Sequence, residues 1–323
     1  MSVPMLVFTP VPTASAIRIL VDGVVDYAGL FPPAALDLAS AIRQYAVHRG
    51  GNHGWMLGRF VAPVGQLEAF GREAEPLLPR DAHAVPWRLS AIGTGDLRTD
   101  LDAILAFNER HHWSAEDRSA VIDSFETRAA TLDDIARLAE AVQRHGARSW
   151  GADRPLAVYV ELPLTGDPLP LLDALRAPAF RAKARTGGLT PEAFPSPEAL
   201  IRFLDGCVRL GVAAKATAGL HHALRGQYPL TYEPGCASGT MFGFLNVLLA
   251  AALLADGAGL DEAQAVLTLD DRAALHCDEE GITVGGRTLS RVRIASVRER
   301  VAIAFGSCSF REPVDELKAL GLL

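Results

Sequence analysis

The chain reads as a (β/α)8 barrel of the TIM type, with a small hairpin and helical insertion before its last strand. Three observations predict this. Short apolar segments alternate with amphipathic helical segments along the whole chain, the pattern of a parallel sheet. Eight such units fit within 323 residues, and barrels of this kind run as single domains at that length. The turn after the first strand, Tyr27-Ala28-Gly29-Leu30-Phe31-Pro32-Pro33, lacks the glycine-rich phosphate fingerprint usual at that place in an open doubly wound sheet. The expected organisation is one barrel domain over 1–323, with the insertion at approximately 256–300.

The elements follow in order. A first strand covers 24–29 and a helix 36–48, with Leu38, Ile42 and Tyr45 on one face. A second strand over 55–61 ends near Arg59, followed by a helix over 66–78. The third strand, 87–92, closes at Gly93-Thr94-Gly95-Asp96, before a helix over 100–110. The fourth, 120–126, carries Asp123 and Glu126. Its helix, 133–143, has Ile135, Leu138, Ala139 and Val142 as an apolar stripe. The fifth strand, 156–162, ends near Glu161, and a short helix covers 169–175. The sixth, 181–185, precedes a helix over 197–208 that is announced by Pro195-Ser196-Pro197. The seventh strand is 211–217. An apolar helix spans 241–254 and another 261–267. Glu280-Gly281 and Gly285-Gly286 mark a hairpin within 274–289. A helix over 292–300, an eighth strand over 302–306 and a helix over 314–320 complete the chain.

Composition narrows the function. Net charge is −7 with no basic stretch, which argues against nucleic acid and against a polybasic membrane anchor. The longest apolar run, 241–255, contains Gly243 and Asn246. It is short for a membrane span of about 20 residues and reads as a buried helix. No signal-like pattern precedes Pro10 and Pro12. Cys207, Cys236, Cys277 and Cys308 lie far apart without C-x-x-C spacing, as in a reduced cytoplasmic protein without a structural zinc site. A small-molecule substrate is the expected partner, and self-association is left open.

Lysine carries the sharpest signal. The chain has 28 Arg and 3 Lys. Lys318 lies in the C-terminal tail, while the others open Lys183-Ala-Arg-Thr-Gly-Gly188 and Lys215-Ala-Thr-Ala-Gly-Leu220. Arg stays charged, whereas a lysine amine can lose its proton and act as a nucleophile. Two lysines kept in glycine-containing segments at the ends of the sixth and seventh strands therefore suggest Schiff-base chemistry with a carbonyl. Adjacent strands lie about 4.8 Å apart, so the amines can approach, each raising the cost of protonating the other. Barrel active sites sit at the C-terminal ends of the strands. Asp26, Arg59, Asp96, Asp123, Glu126, Glu161, Arg185, Thr217, His221 and Ser307 also fall there.

Over about 181–225, the two segments resemble the paired lysine motifs of deoxyribose-phosphate aldolases, class I aldolases on a (β/α)8 barrel. Lys183, Thr186 and Gly187 match that family's Lys-Thr-Ser-Thr-Gly-Phe, and Ala184, Arg185 and Gly188 depart from it. Lys215, Ala216 and Gly219 match its Lys-Ala-Ser-Gly-Gly, Thr217 is conservative and Ala218 departs. The 32-residue separation is also like the family's. The resemblance implies that Lys183 forms the Schiff base and Lys215 depresses its pKa; no cofactor and no metal are expected. It also implies an upstream proton-shuttling carboxylate. By strand position that is Asp123 or Glu126, with Glu161 in reserve. Arg185, in place of a small residue, suggests a substrate carboxylate or phosphate. The expected activity is that of a Schiff-base lyase on a small carbonyl compound, by a divergent relative of the family.

Other features stay open. Thr186-Gly187-Gly188 and Gly306-Ser307-Cys308-Ser309 suit an anion nest or ordinary tight turns equally. Ala237-Ser238-Gly239-Thr240 reads as a helix cap. The adjacent His221-His222 is not metal-ligand spacing, and His221 suits proton transfer or substrate hydrogen bonding. His111-His112 reads as a solvated helix end. With no Cys–His pairing visible, Cys308 reads as a small buried residue. Asp26 suits a structural bond or a substrate contact, and Arg59 and Ser307 are substrate-binding candidates. Two alternatives to the lyase remain: a non-covalent barrel enzyme (isomerase, transferase or metal-assisted lyase) using the lysines as charges, and a non-catalytic barrel that binds a metabolite or partner.

Overall fold

A computed structural model describes residues 15–81, 84–111, 119–146, 156–177 and 179–323. Residues 1–14 and His112, and the expectations resting on them, lie outside the described residues. The strands, in chain order, begin with β1 (Val25–Tyr27), β2 (Leu57–Pro63), β3 (Trp87–Ile92) and β4 (Ala120–Arg128). There follow β5 (Ala157–Glu161), β6 (Phe180–Arg185) and β7 (Ala214–Thr217). A hairpin, β8 (Gly226–Pro229) and β9 (Ser238–Met241), and a meander, β10 (Leu275–Cys277), β11 (Gly281–Val284) and β12 (Arg287–Ser290), precede β13 (Ala302–Ser307). Eight of them close a parallel barrel in the order β1-β13-β7-β6-β5-β4-β3-β2, the predicted fold.

The helices are α1 (Ala16–Val21), α2 (Leu38–Gly50), α3 (Leu67–Ala74), α4 (Leu97–His111), α5 (Leu132–Gly146) and α6 (Leu169–Ala174). They continue with α7 (Pro197–Leu210), α8 (Phe244–Ala255), α9 (Leu260–Leu267), α10 (Arg291–Arg300) and α11 (Arg311–Ala319). Local chemistry sets their limits. Ser196 caps α7 by accepting from Ala199 N, Pro197 opens its first turn, and Gly211 ends it at φ 67°, a left-handed position that glycine adopts without penalty. The stripe predicted on α5 is partly realised: Ile135 and Leu138 are buried, as is Ala141 beside them, while Ala139 and Val142 pack partly buried at the margin. Helix α8 is apolar all round and packs among α7, α9, α10 and β13. No helix of the described residues is long and apolar enough to cross a membrane.

Four expectations change. The apolar helix begins at Phe244, because Met241 ends β9. Ser238-Gly239-Thr240 is therefore strand, and Gly243 caps α8 without a side-chain bond. In place of a two-stranded hairpin within 274–289 stands a three-stranded antiparallel sheet from Leu275 to Ser290, turned at Gly285 and Gly286 with φ 58° and 76°. His111 is buried, 4.5 Å from the Phe107 ring, because α4 turns this face onto α3.

Candidate active site

In β6 and β7 every second residue enters the barrel. Lys183 lies opposite Lys215 in register, between the pairs Ala182–Ala214 and Ala184–Ala216. The alanines Ala184 and Ala216 instead border a gap shared with Phe203 of α7 and Phe244 of α8. Alternation of a long cation with a methyl lets the helices pack close while both amines face inward.

The two amines meet one carboxylate. Lys215 Nζ lies 2.6 Å from Glu126 Oε1 and 2.7 Å from Asp26 Oδ2, and 5.0 Å from the centre of the Tyr159 ring. Lys183 Nζ lies 3.0 Å from Glu126 Oε2 and 2.9 Å from Glu161 Oε2. Glu126 thus divides its oxygens between the lysines, and Ser90 donates to Oε1 at 2.7 Å. Asp26 Oδ1 accepts from Arg59 N at 2.9 Å.

The lysines are not equivalent. The Lys215 side chain is 0% exposed, and that of Lys183 is 8% exposed. Lys215 makes directed hydrogen bonds to both its carboxylates. The contacts of Lys183 are at ion-pair distance only, and Glu161 Oε2 is buried without a hydrogen-bond partner. Burial opposes charge on Lys215, but Asp26 and Glu126 outweigh it and raise its pKa above the usual value. Burial likewise pushes Glu126 toward neutrality, but Lys215 and Lys183, with the bonds from Lys215 and Ser90, hold it well below the usual carboxylate range. Lys215 is therefore a fixed cation.

A cavity of about 220 Å³ opens above this network at the C-terminal ends of the strands, where barrel sites form. Lys183, Lys215 and Glu126 line it together with Arg185, Gly188, Thr217, Gly219 and His221. Arg185 also borders a second, more open cleft of about 570 Å³, which Glu161 lines, and Arg128 Nε sits 3.2 Å from Glu161 Oε1. Ser307 is buried with its Oγ 3.2 Å from His221 Nδ1.

Other candidates do structural work. Thr186 Oγ1 donates to Ala218 O at 2.7 Å, and Thr186 N donates to Thr217 O at 2.8 Å, which ties the two motif loops together. A Cβ on Gly187 or Gly219 would stand 2.6 or 2.8 Å from the Phe194 ring. Ala218 and Gly219 both take left-handed φ, 68° and 72°. Asp123 is not brought to the lysines. Arg59 holds it at 2.6 and 3.1 Å and Arg88 at 2.8 and 2.5 Å. Burial would raise the Asp123 pKa, but these guanidinium groups keep it lowered. Arg59 is committed to the same ion pair, and neither residue lines the cavity. Asp123→Asn is therefore expected to cost about 3 kcal/mol of stability in urea unfolding, while leaving the chemistry of Lys183 intact.

Sequence reasoning did not single out Ser90, Tyr159, Tyr232 or Glu312. It also read Cys308 as unpaired, yet Cys308 Sγ lies 3.6 Å from both His221 Nδ1 and the Tyr232 hydroxyl. Burial pushes the Cys308 thiol up to about 11, so it rests protonated. Among the described residues, no group of three or more His, Cys, Asp or Glu side chains could hold a metal ion. The chain matches no family model, no curated protein and no solved structure.

Proposed function

We propose that the chain is a Schiff-base-forming carbon–carbon lyase of the class I aldolase type, acting on a small carbonyl compound that carries a carboxylate or phosphate. The observation that carries this reading is the sharing of one buried carboxylate, Glu126, by two register-paired lysines beneath a cavity. Lys183 is the nucleophile, because it is the more exposed and the less tightly bonded amine. It passes a proton to Glu161, whose Oε2 lies 2.9 Å away, and the neutral amine adds to the carbonyl carbon. Lys215, held by Asp26 and Glu126, supplies a fixed positive charge on the strand next to Lys183. Arg185, at the mouth of the cavity, pairs with the substrate anion.

A second reading draws on the paired state of Lys215, whose charge is held by two carboxylates. In it both lysines act as cations in a non-covalent reaction. Arginine separates the two, since it keeps charge and loses nucleophilicity. Lys183→Arg is expected to lower retro-aldol turnover on γ-hydroxy-α-keto acids and sugar phosphates by about 10⁴-fold or more, as for loss of a covalent nucleophile. Turnover near the wild-type rate in that variant would favour the second reading.

A further inference from the structure

Retro-aldol cleavage needs an electron sink at the carbonyl carbon and a base at the β-hydroxyl. Assigning that base rests on the Schiff-base reading above. The lysine network provides the sink. The same cavity carries a separate polar group above β7 and β13, built around His221, which lines the cavity and is 7% exposed.

The ring is held through one nitrogen. His221 Nδ1 lies 3.2 Å from Ser307 Oγ, 3.6 Å from Cys308 Sγ and 3.5 Å from Glu312 Oε2. Ser307 Oγ also accepts from Ser309 N at 3.3 Å. With the ring proton on Nδ1, Ser307 Oγ is its acceptor, Glu312 Oε2 stands at ion-pair distance, and Nε2 carries the lone pair. Nε2 makes no bond with any described residue. Its neighbour His222 is turned to other work, stacked on Tyr228 at 3.4 Å and bonded to Glu316 at 2.5 Å. Burial, and then the adjacent His222, keep the His221 imidazole neutral, lowered to about 4, with Glu316 acting in the opposite sense. Glu312 Oε2 is buried without a hydrogen-bond partner.

The geometry points to His221 Nε2 as the base that takes the β-hydroxyl proton in carbon–carbon cleavage. The O–H proton passes to Nε2, and the O–H electron pair becomes the second bond of the departing aldehyde carbonyl. The carbon–carbon bond breaks, and its electron pair moves to the α-carbon, conjugated with the iminium nitrogen on Lys183, to leave an enamine. The new imidazolium faces Glu312 across Nδ1. The imidazolium proton then passes to the enamine carbon, and water hydrolyses the iminium, so that the ketone is released and both His221 and the lysine are restored.

Two readouts on one panel of γ-hydroxy-α-keto acids test this: borohydride trapping at Lys183, and aldehyde release. His221→Gln is expected to trap like the wild type and to release aldehyde about 10²–10⁴-fold more slowly. Ser307→Ala, which leaves the ring in place, is expected to lose less and to shift the pH profile of release. If His221→Gln traps and cleaves at wild-type rates, the assignment of His221 is overturned and the Schiff-base reading stands. If it loses trapping while keeping its circular dichroism, His221 acts before cleavage and the assignment is likewise overturned. A wild type that traps nothing across the panel overturns the Schiff-base reading and this step with it. Should His221→Gln not fold, unchanged release rates in both Ser307→Ala and Glu312→Gln overturn the assignment.

Discussion

Glu126→Gln is expected to lower stability by about 3–5 kcal/mol, the cost of breaking a buried ion pair by removing one partner. The carboxylate is buried and compensates Lys215 and Lys183 together. A neutral amide leaves Lys215 with Asp26 alone and Lys183 with Glu161 alone. It also turns an acceptor toward which Ser90 and two ammonium groups point into a group that is half donor. Urea unfolding at neutral pH measures the loss. Turnover should fall further than stability accounts for, because the charge that holds the two amines together is gone. A variant as stable as the wild type would mean that the network is not the tightly paired cluster described above.

The second large effect is expected at Lys215. Lys215→Met leaves Asp26 and Glu126 buried without their shared cation, at a cost of about 3–5 kcal/mol near neutral pH. The pH dependence has a definite sign. In the wild type the Lys215 pKa is raised, so its contribution is complete below the ordinary value of 10.5 and is lost as pH rises through the folded value. The Glu126 pKa is depressed, so its contribution is complete above 4.5 and is lost as pH falls through the folded value. The network therefore stabilises the fold throughout the window between 4.5 and 10.5. In Lys215→Met the buried Glu126 keeps Lys183 but loses the nearer of its two cations, so its pKa rises and stability should increase on acidification. Urea titrations at about pH 8 and about pH 5 should show that gain in the variant and none from this network in the wild type.

Much of this was legible in the sequence, for identifiable reasons. Strand β3 matches its predicted range of 87–92, because Trp87, Leu89 and Ala91 alternate with more polar neighbours and Gly93 stops the strand. The inward pairing of Lys183 and Lys215 followed from placing both near the ends of consecutive strands, and their register bears that placement out. Asp123 illustrates a limit. The β3–β4 register shifts between Leu89 and Ser90, and such a bulge breaks the two-residue alternation. Asp123 and Glu126 therefore both find buried partners, but different ones, and strand position alone did not separate them.

Other features depend on contacts that no local pattern encodes. The β8–β9 hairpin is half-exposed and carries Pro229 and Gly239, and its alternating burial is not matched by alternating apolar and polar residues in Gly-Gln-Tyr-Pro and Ser-Gly-Thr-Met. Ser90 resembles any small residue in mid-strand until Glu126 arrives beside it. Glu312 reaches His221 only because β13 and α11 close the barrel next to β7.

In the proposed function Lys183 is the covalent amine of a pair whose other member, Lys215, stays charged. Borohydride reduction in the presence of a carbonyl substrate, followed by peptide mass mapping, tests it most directly. The predicted result is one reduced adduct on the peptide containing Lys183, none on that containing Lys215, and no adduct in Lys183→Arg. An adduct on Lys215, or an unmodified protein across a broad panel of aldehydes and keto acids, would contradict it.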